Sequence, residues 1–159
     1  MPKEISPSDI DSWLIDNGWS TERDIGEKAE RLIEEVAQES RRLGFEIQPF
    51  TTASQVIHSY GLLELHYPNR ENSFLKMDPG FLYDGEAEEV AALAEGLKTR
   101  LFPIGYEPGE ESTVLVAEDG RIFYLHFTGG YFAGDNLREA FAKRLKGGLL
   151  PDAEDFFVE

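Results

Sequence analysis

The sequence contains no cysteine. That excludes disulfides, thiolate metal sites and a cysteine nucleophile, and it fits a reducing cytosol. No apolar run approaches the roughly 20 residues that a membrane-spanning helix needs. Met1-Pro2-Lys3-Glu4-Ile5-Ser6 has no apolar stretch behind its Lys, so no secretory signal is expected. Basic residues are scarce, with 15 Lys and Arg against 31 Asp and Glu, a formal net charge of -16. A field of that sign repels nucleic acid and anionic membranes and attracts basic partners. It also serves plain solubility, so charge becomes functional evidence only beside another sign of a partner. No basic stripe is interleaved with aromatics, which excludes direct nucleic-acid binding from the expectations.

What is present suits one folded domain. The chain has 159 residues, 41% of them hydrophobic and 29% charged, a globular rather than a disordered composition. Repeats and low-complexity tracts are missing. Ser6 and Pro7 predict a helix start, with Asp9 in the first turn, Ile10, Trp13 and Leu14 on one face, and Asn17-Gly18 as the stop. Ala29, Leu32, Ile33, Val36, Ala37 and Leu43 predict a second helix ended by Gly44. Thr52 and Gln55 have capping-box spacing for a short third helix that Gly61 ends. Leu63, Leu65 and Tyr67 alternate with Glu64 and His66 as a strand does. A turn-rich stretch over residues 68–72 leads to a returning strand, Phe74 to Met77.

Val90, Leu93, Ala94 and Leu97 define another amphipathic helix, with Glu86, Glu88 and Glu89 near its positive end. Leu101 to Tyr106, Thr113 to Ala117 and Arg121 to Phe127 read as strands, and Asp119-Gly120 is a strong hairpin signal. Gly129-Gly130 breaks the pattern before a short edge strand at Tyr131-Phe132. Asn136 and Glu139 have the spacing of a capping box for a last helix ended by Gly147-Gly148. Strands follow one another more than they alternate with helices. The expected class is therefore α+β, a largely antiparallel or mixed twisted sheet packed against several helices. The expected division is a domain over 1–148 and an acidic tail over 149–159, whose Phe156-Phe157-Val158 cluster either docks or hangs free.

Reaction chemistry finds little support. His58, His66 and His126 lack the spacing of a helical metal pair, so no metal site is expected. No serine sits in a Gly-x-Ser-x-Gly elbow, and Ser59-Tyr60-Gly61 lacks the leading glycine. With 31 acids, neighbouring carboxylates arise by chance. Asp78, Asp84 and Asp135 flank turns, where Asp is expected structurally. Gly129 to Asn136 has no Lys-Ser/Thr after its last glycine, and Asp135 would repel a phosphate, so turn, strand and helix cap is the favoured reading.

The order of short motifs carries more. Gly18-Trp19 with Arg23, Ser59-Tyr60-Gly61-Leu62-Leu63, Phe74 with Asp78-Pro79, Phe102-Pro103-Ile104-Gly105, Glu118 to Phe123, and Gly134-Asp135-Asn136 with Glu139-Ala140 and Gly147 follow one another over most of the chain. In that order they resemble the SUKH superfamily of bacterial immunity proteins, in its third subgroup. Two features depart from it. The usual paired glycine is here Gly61-Leu62, and the acidic tail beyond Gly148 looks like an addition.

The resemblance implies a non-enzymatic α+β domain, without cofactor, that neutralises a polymorphic toxin domain, often a nuclease or nucleic-acid deaminase. The motif residues read as scaffold. Gly18, Gly61, Gly105 and Gly120 suit backbone conformations that side chains disfavour, and Trp19 and Phe74 suit a core. The partner implied is a toxin domain with a basic cleft. The candidate contact residues are Tyr83, Asp84, Tyr106, Glu107, Glu110, Glu111, Glu118, Asp119 and Tyr131, read as exposed groups of loops and strand faces. Two other readings stand beside this one: a general protein-interaction module with no toxin partner, and an enzyme using clustered carboxylates.

Overall fold

The computed structural model describes residues 4–68 and 70–158. Met1 to Lys3, Asn69 of the expected turn and Glu159 of the tail lie outside the described residues. Helix α1 (Pro7–Asp16) starts as its sequence dictates: the Ser6 hydroxyl accepts from the Asp9 amide while the Asp9 carboxylate accepts from the Ser6 amide. It buries Ile10, Trp13 and Leu14. Helix α2 (Glu27–Arg42) turns Ala29, Ile33, Val36 and Ala37 inward and carries Arg41 and Arg42 at its negative end.

Helix α3 (Thr51–Tyr60) corrects the expected cap. It begins one residue before Thr52, after an extended Phe50, with no side-chain cap. The Thr52 hydroxyl lies inside the helix and donates to the Glu118 carbonyl at 2.8 Å, so a tertiary bond has taken the group that the local pattern assigned to a cap.

Strands β1 (Glu64–His66) and β2 (Phe74–Lys76) form a short hairpin, followed by helix α4 (Glu86–Leu97). Strands β3 (Leu101–Glu107), β4 (Ser112–Ala117), β5 (Ile122–His126) and β6 (Gly129–Gly134) complete the sheet before helix α5 (Leu137–Lys146). The sheet runs β1-β2-β3-β4-β5-β6, each strand antiparallel to the next. The described chain is thus α+β, with one wholly antiparallel six-stranded sheet. Strand β6 is longer than expected, because Gly129-Gly130 belongs to it. A Cβ on Gly130 would stand 3.2 Å from Leu93 and Ala153, which pack there. At α5 the Asn136 side chain accepts from the Glu139 amide, as the capping spacing predicts.

Strand pairing sorts the side chains. Tyr106, Thr113, Leu115, Phe123 and Leu125 share one sheet face, and Phe102, Glu107, Val114, Val116 and Tyr124 share the other. The first face meets α4, whose Glu86 bonds Thr113. The second meets the start of α3 and α5, through Phe50, the residue before α3, on Phe102 and through Arg144 on Glu107. With both faces covered, β4 is buried throughout. The segment after Gly148 docks. The Pro151 carbonyl accepts from the Phe132 amide, Ala153 is buried, Phe156 lies 4.3 Å from the Phe132 ring, and the Val158 amide donates to the Gly96 carbonyl.

Candidate functional site

The motif residues tie the scaffold together. Arg23 donates to the carbonyls of Ser59 and Gly61 at 2.9 and 2.8 Å, and the Trp19 indole donates to the Ser59 hydroxyl and stacks on Tyr60. The first two motifs of the sequence are therefore one contact. Their residues are only partly the core expected: Trp19 and Phe74 are half-buried. The glycines also divide. Gly18 and Gly120 have φ of 99° and 96°, whereas Gly61 and Gly105 are required by close approach. A Cβ would lie 2.4 Å from the Ile57 carbonyl oxygen at Gly61 and 2.5 Å from that of Lys76 at Gly105.

The nine expected contact residues fall on separate surfaces. Tyr83, Tyr106 and Glu111 line one groove of about 280 Å³, together with Leu82, Glu86, Pro108, Leu125 and Phe127. Asp84 stands beside it, exposed, 3.6 Å from Arg42. Glu110 and Tyr131 line a second groove, floored by Tyr124 and Arg144 on the opposite sheet face. Glu118 and Asp119 occupy the β4–β5 turn at the other end of β4, about 20 Å of strand away from Glu111. There Glu118 pairs with Arg100 and Asp119 with Arg121, at 2.9 and 2.8 Å.

Glu107 is a correction. Expected at the surface, it is 1% exposed and holds Arg144 through two hydrogen bonds. Its neighbours Pro108-Gly109-Glu110 look like a loop, but strand β3 continues through Glu107 and its alternation points that side chain inward.

The groove around Tyr83 is built by three stretches. Residues 82–86 lead into α4, Tyr106 and Pro108 close β3, and Leu125 and Phe127 end β5. Three apolar groups on its rim face water, Leu82 at 42%, Tyr83 at 44% and Phe127 at 76% exposure. Apolar groups gathered at the rim of one groove are the kind of surface that binding sites use. The Tyr83 hydroxyl donates to Glu89, which ties this lining ring to α4.

The floor is a carboxyl. Glu86 is 1% exposed and accepts from the Leu82 amide at 2.9 Å and from the Thr113 hydroxyl at 2.8 Å. Burial pushes its pKa up, with a smaller push from Glu89, and the two hydrogen bonds only partly oppose this. Glu86 and Phe127 are functional candidates that the geometry brings to the groove and that no sequence motif marks. A signal existed for Glu86: it lies on the helical face of Val90, Leu93 and Leu97, an acid where an apolar residue is expected. Among the described residues no cluster of His, Asp and Glu is arranged to hold a metal ion, and no helix is long and apolar enough to cross a membrane.

A family model described as SUKH-3 immunity protein matches residues 6–147. No curated protein matches the chain, and no solved structure does.

Proposed function

Because the chain belongs to the SUKH-3 immunity protein family, we propose that it binds and neutralises a cognate bacterial polymorphic toxin, with no reacting group of its own. The toxin is one that acts on nucleic acid, as a nuclease or a nucleic-acid deaminase does. Such an enzyme must offer a basic cleft to phosphates. A protein with a net charge of -16 can occupy that cleft, and long-range attraction speeds the encounter. The family match carries the role, and the charge supports this mechanism. Its action is placed in the cytoplasm, with the nucleic acid it protects.

Contact centres on Tyr83, Asp84, Tyr106 and Glu111, where acids surround exposed apolar groups. Glu110 and Tyr131 would extend it around the sheet edge, and Glu118 and Asp119, each paired with an arginine, would contribute less to the field. A stable complex would bury about 1,600 Å² in total. Apolar anchors would supply most of the affinity, and the acids the rate and the choice of partner.

The test is co-purification with the product of the adjacent gene, followed by assay of that product with and without this chain. Neutralisation should be stoichiometric, and the association rate should fall as salt is added. An adjacent product that is neither bound nor inhibited rejects the role. Tight binding whose rate and affinity ignore salt rejects electrostatic blockade.

A further inference from the structure

We infer that the groove under Phe127 receives one arginine side chain of the protein partner, its guanidinium taken up by the Glu86 carboxyl at the floor. The inference rests on the binding role proposed above and specifies the chemistry of the anchor. Both hydrogen bonds to Glu86 end on Oε1, from Leu82 and from Thr113, so Oε2 carries neither while the residue lines the groove. A carboxyl on a residue only 1% exposed, with its hydrogen bonds on one oxygen, is costly to ionise alone, and it gains strongly from a cation brought to it. Burial has already shifted it toward the neutral form, which is the condition a docking cation would reverse.

The remaining lining selects the cation. Its residues include two carboxyls, Glu86 and Glu111, and no Lys, Arg or His. Tyr83, Tyr106 and Phe127 supply aromatic walls. Aromatic walls with a carboxylate end suit a planar, weakly hydrated guanidinium on an apolar stem, better than a compact ammonium that holds its water. Size argues the same way. About 280 Å³ is just under the range of small-molecule pockets, roughly 300–1,000 Å³, and fits a single long side chain. Seating it would also cover Leu82, Tyr83 and Phe127, giving the exposed apolar rim a purpose.

The experiment measures the affinity of the full chain for the toxic domain encoded by the adjacent gene, by calorimetry. Three variants are compared: Glu86→Gln, Phe127→Ala and Glu35→Gln. Glu35 is exposed on α2, so its variant makes the same carboxyl-to-amide replacement away from the groove. Glu86→Gln and Phe127→Ala should each weaken binding roughly tenfold or more, and Glu35→Gln less than about twofold. Phe127 is mostly in water, so its variant keeps the test valid if Glu86→Gln folds poorly. A double-mutant cycle between Glu86 and each arginine of the toxic domain should find one arginine coupled to Glu86. Undiminished binding by both groove variants, an equal loss in Glu35→Gln, or coupling to no arginine overturns this inference and leaves the proposed role standing. Failure of the unmodified chain to bind that domain overturns both.

Discussion

Glu107 and Arg144 face each other as a two-pronged pair inside the protein: Nε meets Oε2 and Nη2 meets Oε1, both at 2.9 Å. The Glu107 side chain is 2% exposed and that of Arg144 12%. The guanidinium also lies over the rings of Tyr67 and Tyr124, at 5.7 and 5.4 Å. The pair joins the end of β3 to α5, two elements that no local pattern connects.

Removing one member of this pair strands the other. Glu107→Ala should destabilise the fold by about 3–5 kcal/mol, because the Arg144 charge is left buried without its partner. Replacing both, as Glu107→Met with Arg144→Leu, should cost far less, since two apolar chains need no mutual satisfaction. Urea unfolding of the three proteins checks this. A double variant as unstable as the single one would show that packing around Tyr67 and Tyr124, and not the charges, holds this region.

Local chemistry explains what was legible in the sequence. The Ser6 cap, the alternation of Leu63, Leu65 and Tyr67, and the Asp119-Gly120 turn each act over a few residues, and each is found where the pattern puts it. The readings that differ depend on distant partners. Thr52 is claimed by Glu118, 66 residues on, and Glu107 by Arg144, 37 residues on. Tyr83, Tyr106 and Glu111 meet because the β2–β3–β4–β5 order folds three stretches together, and no spacing announces that. Glu86 was legible in principle, as an acid in an apolar helical stripe, but three acids at a helix start look like ordinary dipole chemistry.

The departure at Leu62 has a structural cost. Leu62 has φ of +70°, a left-handed conformation that a branched side chain resists, at the position where the resemblance drawn from the sequence implies a second glycine. The turn holds it there, because the Leu62 amide donates to the Met77 carbonyl at 2.6 Å. The side chain is 42% exposed, so little burial rewards the strain. Leu62→Gly should therefore stabilise the protein by about 0.5–1 kcal/mol, after allowing for the extra freedom of glycine in the unfolded chain. At this chain length that raises Tm by about 1–4 °C. Leu62→Ala removes the same side chain without relieving φ and should give no gain. Thermal unfolding of both separates strain from burial, and a Leu62→Gly protein less stable than the parent would show that the leucine contact matters more.

His58 gives stability a pH dependence. Its Nδ1 lies 2.6 Å from an Asp24 carboxylate oxygen and its Nε2 lies 2.8 Å from one of Glu30, so α3 is clamped to α2 and to the loop before it. Carboxylates only accept, so both bonds form together only when both ring nitrogens carry protons. The hydrogen bond to Asp24, then that to Glu30, raises the imidazole pKa above its ordinary 6.5. A raised folded-state pKa means the contribution is complete below about pH 6.5 and is lost as pH climbs through the folded value. Asp24 behaves inversely. Held low by His58 and by the Gly26 amide, it contributes above its ordinary 3.8 and loses that contribution as pH falls through the lowered value. The clamp should thus be strongest in weakly acidic solution and loosen on the alkaline side first. His58→Gln should remove the alkaline part of the decline, while chemical-shift titration of the ring in the parent should give a pKa above 6.5. A ring that titrates at or below that value, or an unchanged pH profile in His58→Gln, would show that the imidazolium does not hold these elements together.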